Sequence, residues 1–162
     1  MGDRNFVLVA EDDRDDVYLL RWAFERAGLD AQIIDVSDGA VAIDYLGGTP
    51  PFDDRRLHPL PKLLVLDLKM PKVTGFDVLA WLAARRDLSW LPVVVLSASA
   101  FPGDVQRALK LGAREFLTKP NNMDEFIPMV RGLHARWLAA DEPVTPAEIG
   151  TAQPQAQLAL RL

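Results

Sequence analysis

Five short apolar runs, each followed by polar residues and most by a helical segment, constrain the fold of this chain more than any other feature. The first run, residues 6–10, is continuously apolar, which is typical of a strand buried on both faces. The other runs cover residues 31–36, 63–66, 93–96 and 115–117. Periodicity and capping residues predict helices over residues 15–27, 38–46, 77–86, 103–111 and 123–140. Strands that alternate with helices build a parallel sheet with helices on both sides.

This alternation predicts an α/β sandwich but leaves its strand order open, because a Rossmann order and a flavodoxin-like order both produce it. Residues 47–61 are rich in glycine, proline and charge, which indicates a long loop. We expect a single domain over residues 1–140. Residues 141–162 contain three prolines and three late leucines, and we interpret them as a C-terminal tail or an arm that packs on a partner subunit.

The charge balance and the cysteine count exclude several classes of protein. The chain of 162 residues has a formal net charge of −5, whereas a nucleic-acid-binding surface needs clustered Lys and Arg. It has no cysteine, which excludes disulfides, cysteine-ligated zinc and thiol catalysis. No run approaches the roughly 20 apolar residues that span a bilayer. We therefore expect a cytoplasmic protein that binds neither nucleic acid nor membrane.

Polar and charged side chains follow four of the predicted strands at the point where each strand ends. Glu11 and Asp12 follow the first strand, and Asp67 follows the third. Ser97 follows the fourth strand and Lys119 follows the fifth. Because ligands of open parallel sheets bind beyond the carboxyl ends of the strands, we expect these side chains to converge at one edge. Clustered carboxylates need a counter-charge, and beside phosphate the usual one is Mg²⁺.

Asp67 is the predicted nucleophile of this group, since a carboxylate can attack a phosphoryl group and form an aspartyl phosphate. Lys119 and the metal would neutralise the charge on the transferring group, and the Ser97 hydroxyl would hydrogen-bond one of its oxygens. Each residue alone has a plainer interpretation, because an aspartate after a strand is more often a turn or helix cap. Their joint placement at four strand ends favours a shared site.

The segments VLVAEDD, LLVLDLKMPKVTGFDVL, VVVLSASA and GAREFLTKP occur in this order, and they resemble the signature segments of receiver domains. Receivers are the phospho-accepting modules of two-component response regulators, and the resemblance covers roughly residues 5–140. It implies a flavodoxin-like three-layer fold with a five-stranded parallel sheet of order 2-1-3-4-5. It also implies a cis peptide bond between Lys119 and Pro120.

Carried over residue by residue, the resemblance makes Glu11 and Asp12 the acidic pair that binds Mg²⁺. Asp67 becomes both the phospho-acceptor and a metal ligand. Lys69 is expected to offer its backbone carbonyl to the same metal.

The resemblance also assigns a switch and a phosphate-binding cation. Ser97 becomes the switch hydroxyl, Phe116 the aromatic switch position and Lys119 the phosphate-binding lysine. Phe116 departs from the tyrosine common at this position, and a plain core residue is a serious alternative for it. Such a protein is not an enzyme in the ordinary sense, although it promotes its own phosphotransfer and dephosphorylation.

The long loop at residues 47–61 departs from the compact receiver pattern and resembles the small stand-alone regulators that partner bacterial phytochromes. The expected partner is therefore a sensor histidine kinase, and the candidate is a bacteriophytochrome. We also expect a homodimer through the fourth helix, the fifth strand and the last helix. On the fourth helix, Phe101, Val105 and Leu109 are the candidate contact residues.

Three other classes of protein compete with this interpretation. A phosphatase or mutase of the haloacid dehalogenase type commonly needs an acid two residues after its nucleophilic aspartate, where this chain has Lys69. A flavodoxin needs a phosphate loop rich in Ser, Thr and Gly after the first strand, whereas EDDRDD would repel a phosphate. A degenerate receiver that only binds partners is disfavoured by the complete set of site residues.

Overall fold

The computed structural model describes residues 5–139 and confirms the alternation of strands and helices. The strands are β1 (Phe6–Ala10), β2 (Gln32–Val36), β3 (Leu63–Leu66), β4 (Val93–Ser97) and β5 (Glu115–Thr118). The helices are α1 (Arg14–Arg26), α2 (Gly39–Gly47), α3 (Gly75–Ala83), α4 (Pro102–Lys110) and α5 (Met123–Leu133). The expected tail, residues 141–162, lies outside the described residues.

The five strands form one parallel sheet in the order β2-β1-β3-β4-β5, which confirms the flavodoxin-like order and not the Rossmann order. In the register of β1 with β3, Ala10 lies beside Leu66, so the residues after these strands begin at the same level of the sheet. Ser97 lies beside Thr118 at the ends of β4 and β5. The register therefore brings four strand ends to one edge.

Alternate residues of the strands pack into two apolar layers on opposite faces of the sheet, because successive side chains of a strand point to opposite sides. Leu8, Leu64 and Val95 pack with residues of α2, α3 and α4. Val7 and Val65 pack with residues of α1 and α5 on the other face. The continuous apolar runs are explained by this three-layer arrangement, since the central strands have no solvent-facing side.

Two boundaries and one peptide bond differ from the sequence expectations. Helix α3 begins at Gly75 because Thr74 forms a capping box with Asp77, whose side chain accepts from the Thr74 backbone. The last helix is α-helical only to Leu133 and continues as a π-helical turn over His134–Leu138. The expected cis bond before Pro120 is wrong: among the described residues, only Pro50-Pro51 is cis.

The loop at residues 47–61 is confirmed as a loop, but it is folded tightly against α2. The Arg55 guanidinium donates to the carbonyl oxygens of Tyr45 at 2.7 Å and Leu46 at 2.9 Å in the last turn of α2, where Tyr45 also accepts a 3.3 Å bond from the Gly48 amide. The Tyr45 hydroxyl donates to the Pro59 carbonyl at 2.8 Å. Tyr45, Phe52 and His58 form an aromatic cluster, with ring centroids 5.2–5.9 Å apart. The loop at residues 47–61 is therefore held against α2 by the hydrogen bonds of Arg55 and Tyr45 and by the aromatic cluster.

Removing the Arg55 side chain is expected to destabilise the domain, because it leaves the carbonyls at the end of α2 without these donors. We expect Arg55→Ala to lower the free energy of unfolding by about 2 kcal/mol, the scale of charge-assisted hydrogen bonds to the backbone. Arg56→Ala is the matched control, since Arg56 is exposed and pairs only with Asp54. It should change stability by less than about 0.5 kcal/mol. Urea unfolding followed by circular dichroism measures the free energy of unfolding of both variants. Equal losses in the two variants would contradict the capping role of Arg55.

The fourth helix offers a smaller contact surface than the sequence suggested. Phe101 and Leu109 are 61% and 41% exposed, but Val105 is 3% exposed and packs in the core. The inclusion of Val105 in the contact surface was therefore wrong, because it faces the sheet with Ala108. Within residues 5–139 no helix is long and apolar enough to cross a membrane.

Candidate functional site

The structure brings four of the predicted site residues, Glu11, Asp12, Asp67 and Lys119, together at the carboxyl edge of the sheet. Glu11 and Asp67 are 3% and 5% exposed, although carboxylates are almost never buried without partners. One carboxylate oxygen each from Glu11, Asp12 and Asp67 lies within 4.8 Å of the others. Asp12 is exposed, so the cluster opens to solvent on its side.

The position of Asp67 is fixed by the backbone around it. Its amide donates to the Ala10 carbonyl at 3.0 Å, which continues the β1–β3 ladder past the end of β3. The Gly75 amide donates to the Leu68 carbonyl at 3.0 Å, and this closes the loop between Asp67 and α3. A Cβ on residue 75 would lie 2.3 Å from the Asp67 carbonyl oxygen, so only glycine permits this approach. The loop thereby holds the Asp67 backbone at the sheet edge.

Lys119 supplies a cation to the site. It follows β5, and its amide donates to the Ser97 carbonyl at 2.7 Å, which ties the end of β5 to β4. Its ammonium nitrogen Nζ lies 2.7 Å from Glu11 Oε2, 2.7 Å from Asp16 Oδ2 and 3.8 Å from Asp67 Oδ2. The side chain is 13% exposed, so these ion pairs are shielded from water and counterions.

Burial and neighbouring charges shift two pKa values in this site. Burial, reinforced by the charge of Asp67, raises the pKa of Glu11 to about 7, although the Lys119 ammonium and the Asp13 amide oppose the shift. Burial by itself would lower the pKa of Lys119, but bonds to Asp16 and Glu11 outweigh it and hold that pKa above its usual range. The lysine is therefore a permanent cation, and the cluster carries more negative charge than Lys119 alone can neutralise.

The carboxylate cluster fits a hard divalent cation by its donors and spacing. Mg²⁺ binds oxygen ligands, takes few of them from the protein and keeps several waters, which the exposed side at Asp12 allows. Both oxygens of Glu11 already have partners, since Oε1 accepts from the Asp13 amide at 3.0 Å and Oε2 pairs with Lys119. A bound cation would therefore compete with Lys119 for Glu11. The ligand role expected for the Lys69 carbonyl stays a prediction.

Ser97 and Phe116, the predicted switch pair, are both buried side chains. Ser97 is 1% exposed at the end of β4, and the Ser99 amide lies 3.5 Å from its Oγ. The Ser99 hydroxyl is itself buried without a partner within the described part of the chain. Phe116 is 2% exposed and packs in the core beside Val95. This packing agrees with its plain interpretation as a core residue, and a switch role stays a prediction.

Asp16 was not predicted as a site residue. Its carboxylate accepts a 2.7 Å hydrogen bond from Lys119, a residue 103 positions away. In the sequence Asp16 is one of several acids in EDDRDD, and only Glu11 and Asp12 stand next to the strand end. The available signal was topological: the first turn of α1 follows β1 directly, so its side chains must lie near the same edge. Asp13, in the same run, is instead the N-cap of α1.

The comparisons with known proteins agree with this fold. Residues 7–131 match the family described as "Response regulator receiver domain". The chain belongs to the response regulator receiver family of two-component systems, in which phosphorylation on an aspartate is typical. Within that family it is related to the phytochrome response regulators.

Two curated relatives are similar over most of their length. Response regulator Rcp1 of Synechocystis sp. is 33% identical over 132 residues, which cover 82% of this chain and 88% of Rcp1. The probable methanogenesis regulatory protein FilR2 of Methanothrix harundinacea is 33% identical over 150 residues, 90% of this chain and 91% of FilR2.

Solved structures of related regulators share the fold. The response regulator RPA3017, which acts in red light signaling of R. palustris, superposes with a TM-score of 0.80 at 35% identity. It covers 86% of this chain and 99% of its own. The Mn²⁺-bound form of Rcp1 superposes with a TM-score of 0.75 at 30% identity, over 86% of this chain and 99% of its own. Receiver domains bind Mg²⁺ or Mn²⁺ at an acidic pocket, and the carboxylate cluster of this chain is consistent with that property.

Proposed function

We propose that this chain accepts a phosphoryl group on Asp67 from a sensor histidine kinase. The observation that carries the proposal is the buried Asp67 carboxylate, which lies 3.8 Å from the Lys119 ammonium and beside the Glu11 and Asp12 carboxylates. A buried nucleophile beside a fixed cation and a cation-binding cluster is the arrangement that phosphoryl transfer requires.

In the proposed reaction an Asp67 carboxylate oxygen attacks the phosphorus of a phosphohistidine. A new O–P bond forms as the P–N bond breaks, and the imidazole nitrogen leaves with the bonding electron pair. Mg²⁺ held by Glu11, Asp12, Asp67 and the Lys69 carbonyl would neutralise charge on the transferring oxygens. Lys119 stabilises the same charge from the β5 side, and burial strengthens its effect because water is largely excluded.

Once formed, the phosphoryl group adds charge next to the end of β4. Ser97 is the buried hydroxyl at the end of β4, and we propose that it turns to hydrogen-bond a phosphoryl oxygen. Phe116 then fills the space that Ser97 vacates, and the surface of α4, β5 and α5 is reshaped. The change is a shift between two packings, biased by the new contacts. Small Ala98 leaves the phosphoryl group open to water, which permits self-dephosphorylation.

The test is intact mass after incubation with acetyl phosphate, with and without Mg²⁺. We expect a phosphate-sized gain that depends on Mg²⁺ and disappears on chelation with EDTA, because the clustered carboxylates otherwise repel an anionic donor. A chain that takes up no phosphoryl group with Mg²⁺ present, and binds no beryllofluoride, would contradict the proposal. It would then be a receiver that signals by binding alone.

We further propose a cytoplasmic homodimer that pairs through α4, β5 and α5 and receives its phosphoryl group from a kinase of the bacteriophytochrome type. The exposed side chains of Leu109 on α4 and of Phe101, the N-cap of α4, support this contact. The relationship to phytochrome regulators supports the kinase. Residues 1–140 would form the receiver and residues 141–162 the tail or arm.

An aspartate on α4 should break this dimer. We expect the wild type to sediment at twice the monomer mass and Leu109→Asp to sediment as a monomer, because the charge would be buried without a partner. Leu57→Asp is the matched control, since Leu57 is 74% exposed on the 47–61 loop, away from the proposed contact. A Leu109→Asp variant that keeps the dimer mass would contradict this contact surface.

A further inference from the structure

We infer that Asp16 is a positioning residue that holds the Lys119 ammonium on the α1 side of the site and competes with the phosphoryl group for it. The inference rests on the proposed function of Asp67. In this role the Asp16 carboxylate, in the first turn of α1, sets how strongly the site retains a phosphoryl group. Asp16 itself neither binds the metal nor accepts the phosphoryl group.

The first support is the geometry around Nζ of Lys119. The hydrogen bond to Asp16 Oδ2 is 2.7 Å long, whereas the distance to Asp67 Oδ2 is 3.8 Å, beyond hydrogen-bond reach. The ammonium is therefore bonded to α1 and only loosely paired with the nucleophile. To bind a phosphoryl oxygen on Asp67, it must move toward Asp67 or share its charge between two strong acceptors.

The second support is the contrast between Asp16 and Glu11 as partners of Lys119. Glu11 also lies 2.7 Å from Nζ, but it belongs to the carboxylate cluster that fits a divalent cation. A bound cation would draw the charge of Glu11 away from the lysine. Asp16 lies outside that cluster and keeps its full charge for Lys119. It is therefore the carboxylate that still competes when the metal is present.

The third support is the charge count of the site. Glu11, Asp12, Asp16 and Asp67 place four carboxylates near one ammonium. With all four ionised, a divalent cation still leaves one excess negative charge. Converting Asp67 to its phosphorylated dianionic form raises the excess to two. Removing the charge of Asp16 lowers that excess, so it should favour every state that adds an anion at Asp67.

Asp16 also has a plainer role as a structural ion pair that ties α1 to the end of β5. That role predicts lower stability when Asp16 is changed, and no gain in anion binding. Competition predicts the opposite result for binding. The two roles are therefore separated by measuring the same variant with and without a phosphoryl mimic.

The experiment measures binding of beryllofluoride in the presence of Mg²⁺ by ¹⁹F NMR, for the full chain and for Asp16→Asn. We expect Asp16→Asn to bind beryllofluoride about tenfold more tightly, the lower end of the range for one released charge-assisted hydrogen bond. The phosphorylated form should lose its phosphoryl group more slowly by a similar factor. The side-chain ammonium resonance of Lys119 should shift in this variant, because its hydrogen-bond acceptor has changed.

Asp15→Asn is the matched control. Asp15 lies in the same first turn of α1 and is exposed, so its replacement removes the same charge from the same helix end. It should leave the beryllofluoride affinity and the Lys119 resonance unchanged. Asp16→Glu should restore most of the wild-type affinity, because it returns a carboxylate to the position.

The outcomes separate this inference from the proposed function. If the wild type binds beryllofluoride and Asp16→Asn binds it equally or more weakly, the inference is overturned and the function of Asp67 stands. An equal gain in Asp15→Asn would also overturn it, since general repulsion would then explain the effect. A wild type that binds no beryllofluoride with Mg²⁺ would overturn both.

Discussion

Asp67→Asn is expected to abolish phosphoryl uptake completely while leaving the free energy of unfolding within about 1 kcal/mol of the wild type. An amide oxygen carries no full negative charge and is a poor nucleophile, so no aspartyl phosphate can form at this position. Asparagine matches aspartate in shape, which leaves the packing around residue 67 unchanged. The variant also loses the Coulomb repulsion that Asp67 exerts on Glu11. That gain offsets the loss of the 3.8 Å pair with Lys119.

The measurement is intact mass after incubation with acetyl phosphate and Mg²⁺, beside urea unfolding of the same preparation. Asp15→Asn serves as the control, because it removes an aspartate from an exposed position near the site. It should take up a phosphoryl group like the wild type. A phosphate-sized gain in Asp67→Asn, with a fold that remains cooperative, would show that another residue accepts the group and would remove the basis of the proposed function.

The sequence was sufficient to predict the sheet because its strands are buried on both faces. The runs that form β1 and β3 contain no polar residue, so their ends are clear in the sequence. The structure has both strands at the predicted residues. Helix boundaries were less predictable, since they depend on local hydrogen bonds. The capping box formed by Thr74 and Asp77 starts α3 at Gly75, two residues earlier than the periodicity indicated. The strand order required the family resemblance, because alternation alone fits two topologies.

The candidate site was predictable where its residues end strands, and unpredictable where they depend on side-chain direction. Glu11, Asp67 and Lys119 were placed by the rule that parallel strands end at one edge. Asp16 is on a helix, and its contact with Lys119 depends on how the first turn of α1 faces the end of β5. Val105 shows the same limit, because its helix is amphipathic and one residue's shift in phase exchanges core and surface.

Gly75 lies against the backbone of residue 67. We therefore expect Gly75→Ala, which adds one Cβ, to destabilise the domain strongly. The new Cβ would lie 2.3 Å from the Asp67 carbonyl oxygen and 2.7 Å from the Leu68 Cα, and both are backbone atoms that no side-chain rotation can move. The loop between β3 and α3 must shift to accept it. We expect a loss of about 3 kcal/mol in the free energy of unfolding, the upper part of the range for overpacking.

Gly103→Ala provides the matched control for this substitution, because a Cβ at residue 103 would meet no atom within 4 Å. Gly103 lies in α4, where alanine is the better helix former, so the control should be neutral or stabilising by up to about 1 kcal/mol. Urea unfolding measures both variants, and acetyl phosphate uptake is measured at 10 °C after circular dichroism has established that Gly75→Ala is folded there. We expect slower uptake in Gly75→Ala, because Asp67 is displaced from Lys119. Equal stability of the two variants would mean that the loop yields at little cost and that Gly75 does not fix the position of Asp67.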